Sequence, residues 1–180
     1  NVYSDQKKYS TAEAYYMKTL QFINDFYGDG AAVPTVAATM GNLAINYRHM
    51  EQYNKAEDYY LQALSVDRQI SHGADRVGIA NTLYNLANNY SDMEQYNKAE
   101  DYYLQALTVY RKISQGADSV DIANTLNNLA INYRHMEQYN KAEDHYLQAL
   151  SVYRQISHGA HRVDIADTPE NPTNNYASAV

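Results

Sequence analysis

Six histidines, 21 acidic residues, 14 basic residues and no cysteine are the groups with which this chain can do chemistry. Their spacing argues against a reaction centre. His158 and His161 stand three apart in a stretch that reads as a loop, while His49 and His135 recur at matching places with no acidic or sulfur partner at ligand spacing. No metal and no cofactor are expected. The chain has no glycine-rich phosphate loop, no Gly-x-Ser-x-Gly and no catalytic histidine motif, so it is not expected to be an enzyme. Asn89-Tyr90-Ser91 matches the glycosylation triplet but falls in a helical stretch and is read as chance. What recurs is the amide. Asn42, Asn85 and Asn128 repeat at one spacing, and each amide can both donate to and accept from a peptide backbone. That is the chemistry of recognition.

The amides must be held by something periodic. Tyr53, Tyr96 and Tyr139 each open the phrase Tyr-Asn-Lys-Ala-Glu-Asp, 43 residues apart, and whole segments align at that spacing. The units run 34–76, 77–119 and 120–162, preceded by a partial unit, 1–33, whose first helix is expected to lie upstream. Within a unit, Leu83, Leu86, Ala87 and Tyr90 fall on one face of a first helix, A. Ala99, Tyr103, Ala106, Leu107 and Tyr110 do the same for a second, B, expected to run to Ser114 before Gly116 caps it. One such hairpin cannot bury its own stripes, so units must stack.

Leu83-x-x-Leu86-Ala87-x-x-Tyr90 followed by Ala99-x-x-x-Tyr103 resembles the tetratricopeptide repeat signature, with Leu at the usual Trp position, Ala for Gly and Tyr for Phe. Arg68, Arg111 and Arg154 replace the closing Pro, and the longer unit lengthens helix B. The long repeat, its Asn-Leu-Ala core and the lead-in Pro34-Thr35-Val36-Ala37 are similar to the repeats of kinesin light chain and related arrays. The resemblance covers about residues 1–166 and implies an all-α, right-handed α-solenoid of helix-turn-helix repeats. It also implies that the A helices line a concave groove and that the asparagine of the ladder grips ligand main chain.

The groove-facing positions are then Asn81, Asn85, Asn88 and Asp92 in one unit, Ala38, Asn42, Ile45 and His49 in the unit before, and Asn124, Asn128, Ile131 and His135 in the unit after. The competing reading of the asparagines is that they cap or cross-link neighbouring helices. Specificity must reside where near-identical units differ. Gly41, Tyr84 and Asn127 share one slot, and Arg48, Ser91 and Arg134 share another. Tyr84 offers an aromatic face, and Arg48 and Arg134 can each take a carboxylate or remain solvated. Asn46, Asn89 and Asn132 point nearer the repeat junction and are assigned an interhelix hydrogen bond. On helix B, Lys98, Glu100 and Asp101 read as a solvated outer face, and Tyr59, Tyr102 and His145 as an outward aromatic line suited to self-association.

The bulk composition narrows the partners. A net charge of −7 with mixed signs leaves no footprint for nucleic acid or an anionic membrane, and no apolar run is long enough to span a bilayer. Lack of cysteine agrees with a cytoplasmic setting. Twenty Tyr against two Phe and no Trp mean that much of the large apolar surface carries a hydroxyl needing a partner. The expected function is a non-catalytic module binding an extended peptide or partner protein. The alternatives are a structural scaffold, self-associating through array ends or convex face, and the sensor arm of a larger signalling protein. The tail, 167–180, is expected to be irregular, since Pro169 and Pro172 stand where helix A would need Leu, while Ile165 and Ala166 dock on the array end.

Overall fold

The computed structural model describes the backbone of residues 2–28, 30–71 and 77–166, and side chains within 7–28, 30–71 and 77–157. The alternating stripes become seven helices: α1 (Val2–Tyr27), α2 (Pro34–His49), α3 (Tyr53–Ser71), α4 (Val77–Asp92), α5 (Tyr96–Ile113), α6 (Val120–His135) and α7 (Tyr139–Ala166). No strand occurs among the described residues. The A helices start at 34, 77 and 120 and the B helices at 53, 96 and 139, so both keep the period read from the tyrosines.

Local chemistry sets the ends. Pro34 occupies the first turn of α2, where its missing N–H costs nothing, and Ser119 caps α6 by accepting from the Ile122 N–H at 3.2 Å. Each A helix closes with a left-handed glutamate, Glu51, Glu94 or Glu137, at φ 57, 59 and 57°. The following N–H reaches back to close the turn: Gln52 to Tyr47 O at 2.9 Å, Gln95 to Tyr90 O at 2.8 Å and Gln138 to Tyr133 O at 2.9 Å. This six-residue closure satisfies carbonyls that would otherwise be orphaned and turns the chain back into helix B. Helix α5 ends at Ile113 in the same manner. There Gln115 takes the left-handed position and Gly116 donates to Arg111 O at 3.1 Å, so the glycine sits one residue beyond the expected cap.

Alanine lets the helices meet. Ala87, Ala99 and Ala106 are fully buried where α4 crosses α5, and Leu43, Leu86 and Leu129 are fully buried in the three A helices. Two apolar rows run along the array, one through Leu43, Tyr60, Leu86, Tyr103 and Leu129, the other through Leu64, Leu83, Leu107 and Leu126. Burying each such leucine contributes about 1.5–3 kcal/mol.

Units are joined by a seam that repeats. The Asn46, Asn89 and Asn132 amides donate to the Tyr9, Tyr53 and Tyr96 carbonyls of the preceding B helix at 3.0, 3.0 and 2.9 Å, as the sequence indicated. Beside them the hydroxyls of Tyr47, Tyr90 and Tyr133 donate to Glu13, Glu57 and Glu100 at 2.6, 2.5 and 2.6 Å. Lys55, Lys98 and Lys141 lie over the same tyrosine rings at 5.1, 4.9 and 4.9 Å.

This seam corrects the reading of helix B as a plain solvated face. Glu100 is half-buried and accepts from Tyr133, Lys98 remains exposed but lies over the Tyr90 ring, and Asp101 lies open. The aromatic line is not outward either. Tyr59 stacks on Tyr47 at 5.5 Å, Tyr102 on Tyr90 at 5.3 Å, and the His145 ring tilts against Tyr133 at 5.1 Å, so all three are half-buried. The physical reason is that each A-helix tyrosine is covered from two sides: its ring packs against the B helix of its own unit, while its hydroxyl crosses to the glutamate of the preceding B helix, so an apparently free face becomes a contact. A further difference lies in α7, which runs unbroken through Ala166 and holds positions 158 and 161 in a helix where a loop was expected. A glycine inside a helix costs only about 1 kcal/mol against Ala, so the residue that follows a helix end in α5 does not force one in α7. The expected irregular tail with its prolines, and the docking of Ile165 and Ala166 side chains, lie outside the described residues.

Candidate peptide-binding groove

Curvature follows from which helices touch. Among the described residues the backbone of α2 approaches that of α4, and α4 that of α6, whereas no two B-helix backbones come as close and α1 and α3 meet through the Tyr59 hydroxyl and Met17 sulfur at 3.7 Å. Helices closer together form the inner side of a bend, so the A helices line the concave face. The groove residues stand on them.

The inward positions divide by their partners. Asn81 and Asn88 accept from Tyr110 and Tyr103 of the same unit, each at 2.6 Å, and Asn124 accepts from Tyr153. Asn128 donates to the Tyr84 hydroxyl at 2.8 Å and to Asn88 Oδ1 at 3.0 Å, joining α6 to α4. Four groove amides are thus tied into the array. Asn42, exposed, and Asn85 and Asn127, half-buried, have no hydrogen-bond partner among the described residues. Arg48 Nε donates to Asp92 Oδ2 at 2.5 Å, so its carboxylate comes from the next unit, while Arg134 is exposed and unpaired among the described residues. Tyr84 is half-buried, its ring edge-on to Tyr103 at 6.1 Å.

Sequence reasoning missed the tyrosines that hold these amides. Tyr103 and Tyr110 were assigned to the apolar stripe of helix B, and both are buried, yet their hydroxyls cross to helix A. The abundance of Tyr over Phe was the signal. Burial pushes the phenols of Tyr60, Tyr103 and Tyr110 above their usual range, so they stay neutral, and Tyr103 and Tyr110 stay as donors.

Between the units lie two crevices made from equivalent positions. The first, about 410 Å³, opens between α2, α3 and α4, with Gly41, Asn42 and Asn85 at its edges and Tyr60 in its wall. The second, about 220 Å³, lies between α4, α5 and α6 and is lined by Asn81, Tyr84, Asn85, Tyr110, Asp121 and Asn124.

The tetratricopeptide repeat family model matches residues 1–69, 35–112, 78–155 and 121–168, four overlapping placements that together span the helical array. The chain belongs to the tetratricopeptide repeat family. Solved structures agree on the fold of this tetratricopeptide array. BtubC (BKLC) from P. vanneervenii superposes with a TM-score of 0.74 at 20% identity, over 97% of this chain and 64% of that one. The apo form of RapI gives 0.69 at 22% identity, over 84% of this chain and 40% of that one. Nearly identical TPR-like repeats of a Podosopora anserina protein named for kinesin light chain give 0.62 at 14% identity, over 83% and 75%. This chain therefore spans less than two thirds of BtubC and of RapI. No curated protein matches it in sequence. Among the described residues no helix is long and apolar enough to cross a membrane.

Proposed function

We propose that this array is a non-catalytic interaction module that holds an extended peptide or partner segment along the concave face of α2, α4 and α6. Tetratricopeptide repeats mediate protein–protein interaction, and the finer assignment rests on one observation. Asn42 and Asn85 hold the same position one period apart, both line the open crevice, and neither amide has a partner among the described residues. An amide in a helix interior has no propensity to recommend it, and one left unbonded on a groove wall is available to a passing main chain. The third amide of that position, Asn128, is held by Tyr84 and Asn88, but Asn127 in the neighbouring slot offers an amide without a partner among the described residues. Exposed Arg134, unpaired among those residues, offers a cation for an acidic group at the far end. Asn81, Asn88, Asn124 and Asn128 serve this site by stiffening its walls. Arg48, held by Asp92, and Tyr84, packed on Tyr103, shape it.

The test is selection from a displayed library of random peptides by the whole chain and by an Asn42→Ala/Asn85→Ala variant. The chain enriches peptides and the variant does not, at an unchanged melting temperature. Equal enrichment by the two would sink the reading. A second reading, end-to-end self-association, is favoured by the exposed aromatics Tyr15, Phe22, Phe26 and Tyr27 on α1, and sedimentation that stays monomeric at high concentration removes it.

A further inference from the structure

The two crevices differ at several equivalent positions, and three of them decide what can enter. In the second, Tyr84 fills much of the space, with its ring edge-on to Tyr103 and its hydroxyl accepting from Asn128 Nδ2 at 2.8 Å. In the first, Gly41, Ile45 and Asp67 stand where the next unit has Tyr84, Asn88 and Tyr110. The open crevice has about 410 Å³ against about 220 Å³. A Cβ built on Gly41 meets nothing within 4 Å. Tyr60, the counterpart of Tyr103, lines this space and is fully buried, yet its hydroxyl has no hydrogen-bond partner among the described residues. The cause is visible in the sequence, because Ile45 replaces the amide oxygen that Asn88 offers to Tyr103. Asn85, the counterpart of Asn128, lines the same space with its amide unused.

We propose that the first crevice is a side-chain pocket for a tyrosine of the bound peptide, whose phenol takes the place that Tyr84 occupies one unit further on. The proposal deepens the groove assignment and rests on it. The chain itself shows the fit. A ligand phenol lies edge-on to Tyr60 as Tyr84 does to Tyr103, and accepts from Asn85 as Tyr84 does from Asn128. Such aromatic pairs favour edge-to-face approach. Ala37, Ala38, Ile45 and Ile70 provide the apolar wall. No basic residue lines the crevice among the described residues, so the dianionic phosphate of a phosphorylated tyrosine meets no cation in that lining. Phenylalanine fills the space but leaves the Asn85 amide unpaired, which weakens binding about tenfold, the equivalent of one hydrogen bond.

The probe is N-acetyl-tyrosinamide, titrated into the whole chain and followed by NMR at the Asn85 side-chain amide. Expected are saturable shifts centred on Asn85 and Tyr60, about tenfold weaker binding of N-acetyl-phenylalaninamide, and none of the O-phosphorylated compound. Gly41→Tyr fills the pocket from within and abolishes the shifts while keeping the helical spectrum and melting temperature. Asn85→Ala binds the two amides equally. No saturable shift, equal affinity of the parent chain for both compounds, or unchanged binding in Gly41→Tyr overturns the proposal. The two readings fail separately. Peptide capture that depends on Asn42 and Asn85 without a phenol preference removes the pocket and keeps the groove. Phenol binding that Gly41→Tyr abolishes, in a chain that captures no peptide, removes the groove and assigns the pocket to a free phenol.

Discussion

The seam between units and the groove beneath it are built from the same helices and follow opposite rules. At the seam each junction repeats one set of contacts: an asparagine amide to a backbone carbonyl, a tyrosine hydroxyl to a glutamate, a lysine over the ring. In the groove the equivalent slots hold Gly41, Tyr84 and Asn127, and the partners change with them. Stacking demands sameness, because every unit must fit both neighbours. A ligand passes each unit only once and is under no such demand.

Raising the pH breaks the seam first and has the largest effect. Burial and then the glutamate hydrogen bond push the phenols of Tyr47, Tyr90 and Tyr133 above their usual range, and burial does the same for Tyr60, Tyr103 and Tyr110. In the unfolded chain these phenols ionise near pH 10, so above that pH the unfolded state releases protons that the folded state keeps. The tyrosine contribution is fully present below about pH 10 and is lost as pH rises from there. Circular dichroism melts should be flat to about pH 9 and fall steeply beyond about pH 10, with a shallower fall for Tyr90→Phe. A melting temperature independent of alkaline pH would show that the seam hydroxyls are not held neutral.

Ala99→Leu comes next. The site is fully buried at a helix crossing, and overpacking there costs about 1–3 kcal/mol, whereas Asp101→Leu on the open face changes stability by less than about 0.5 kcal/mol. Glu100 makes a poor control, since its carboxylate accepts from Tyr133. Equal shifts in thermal midpoint for the Ala99 and Asp101 variants would contradict the face assignment.

The smallest and sharpest contrast pairs two asparagines of one helix. Asn89→Ala removes a buried hydrogen bond across the seam, at about 1–2 kcal/mol. Asn85→Ala removes an amide that bonds to nothing within the described residues and leaves stability within about 0.5 kcal/mol. Urea denaturation of the two variants decides it, and a destabilising Asn85→Ala would assign that residue to the scaffold.

The sequence carried the scaffold well because one period fixes it. Helix faces, the alanine crossings and the junction role of Asn46, Asn89 and Asn132 all follow from spacing along a single helix. Contacts that need two helices were not legible in the same way. Tyr103 to Asn88 spans helix A to helix B, and Tyr133 to Glu100 spans two units, at separations of 15 and 33 residues that no single-helix wheel displays. Glu100 therefore read as solvent-facing, and Asn88 as free for a ligand. The open crevice was half legible: Gly41 was marked as a variable slot, but the orphaned Tyr60 hydroxyl appears only when Ile45 is seen in place of Asn88 beside it.

The repeating seam also bears on how such a gene changes length. Because the asparagine, tyrosine and glutamate contacts of the seam are the same at each described junction, duplication or deletion of one whole unit in frame keeps the seam and changes only groove-side contacts such as Arg48–Asp92. Copy number can drift with the seam intact at the splice, and a newly copied unit arrives with its groove slot free to diverge.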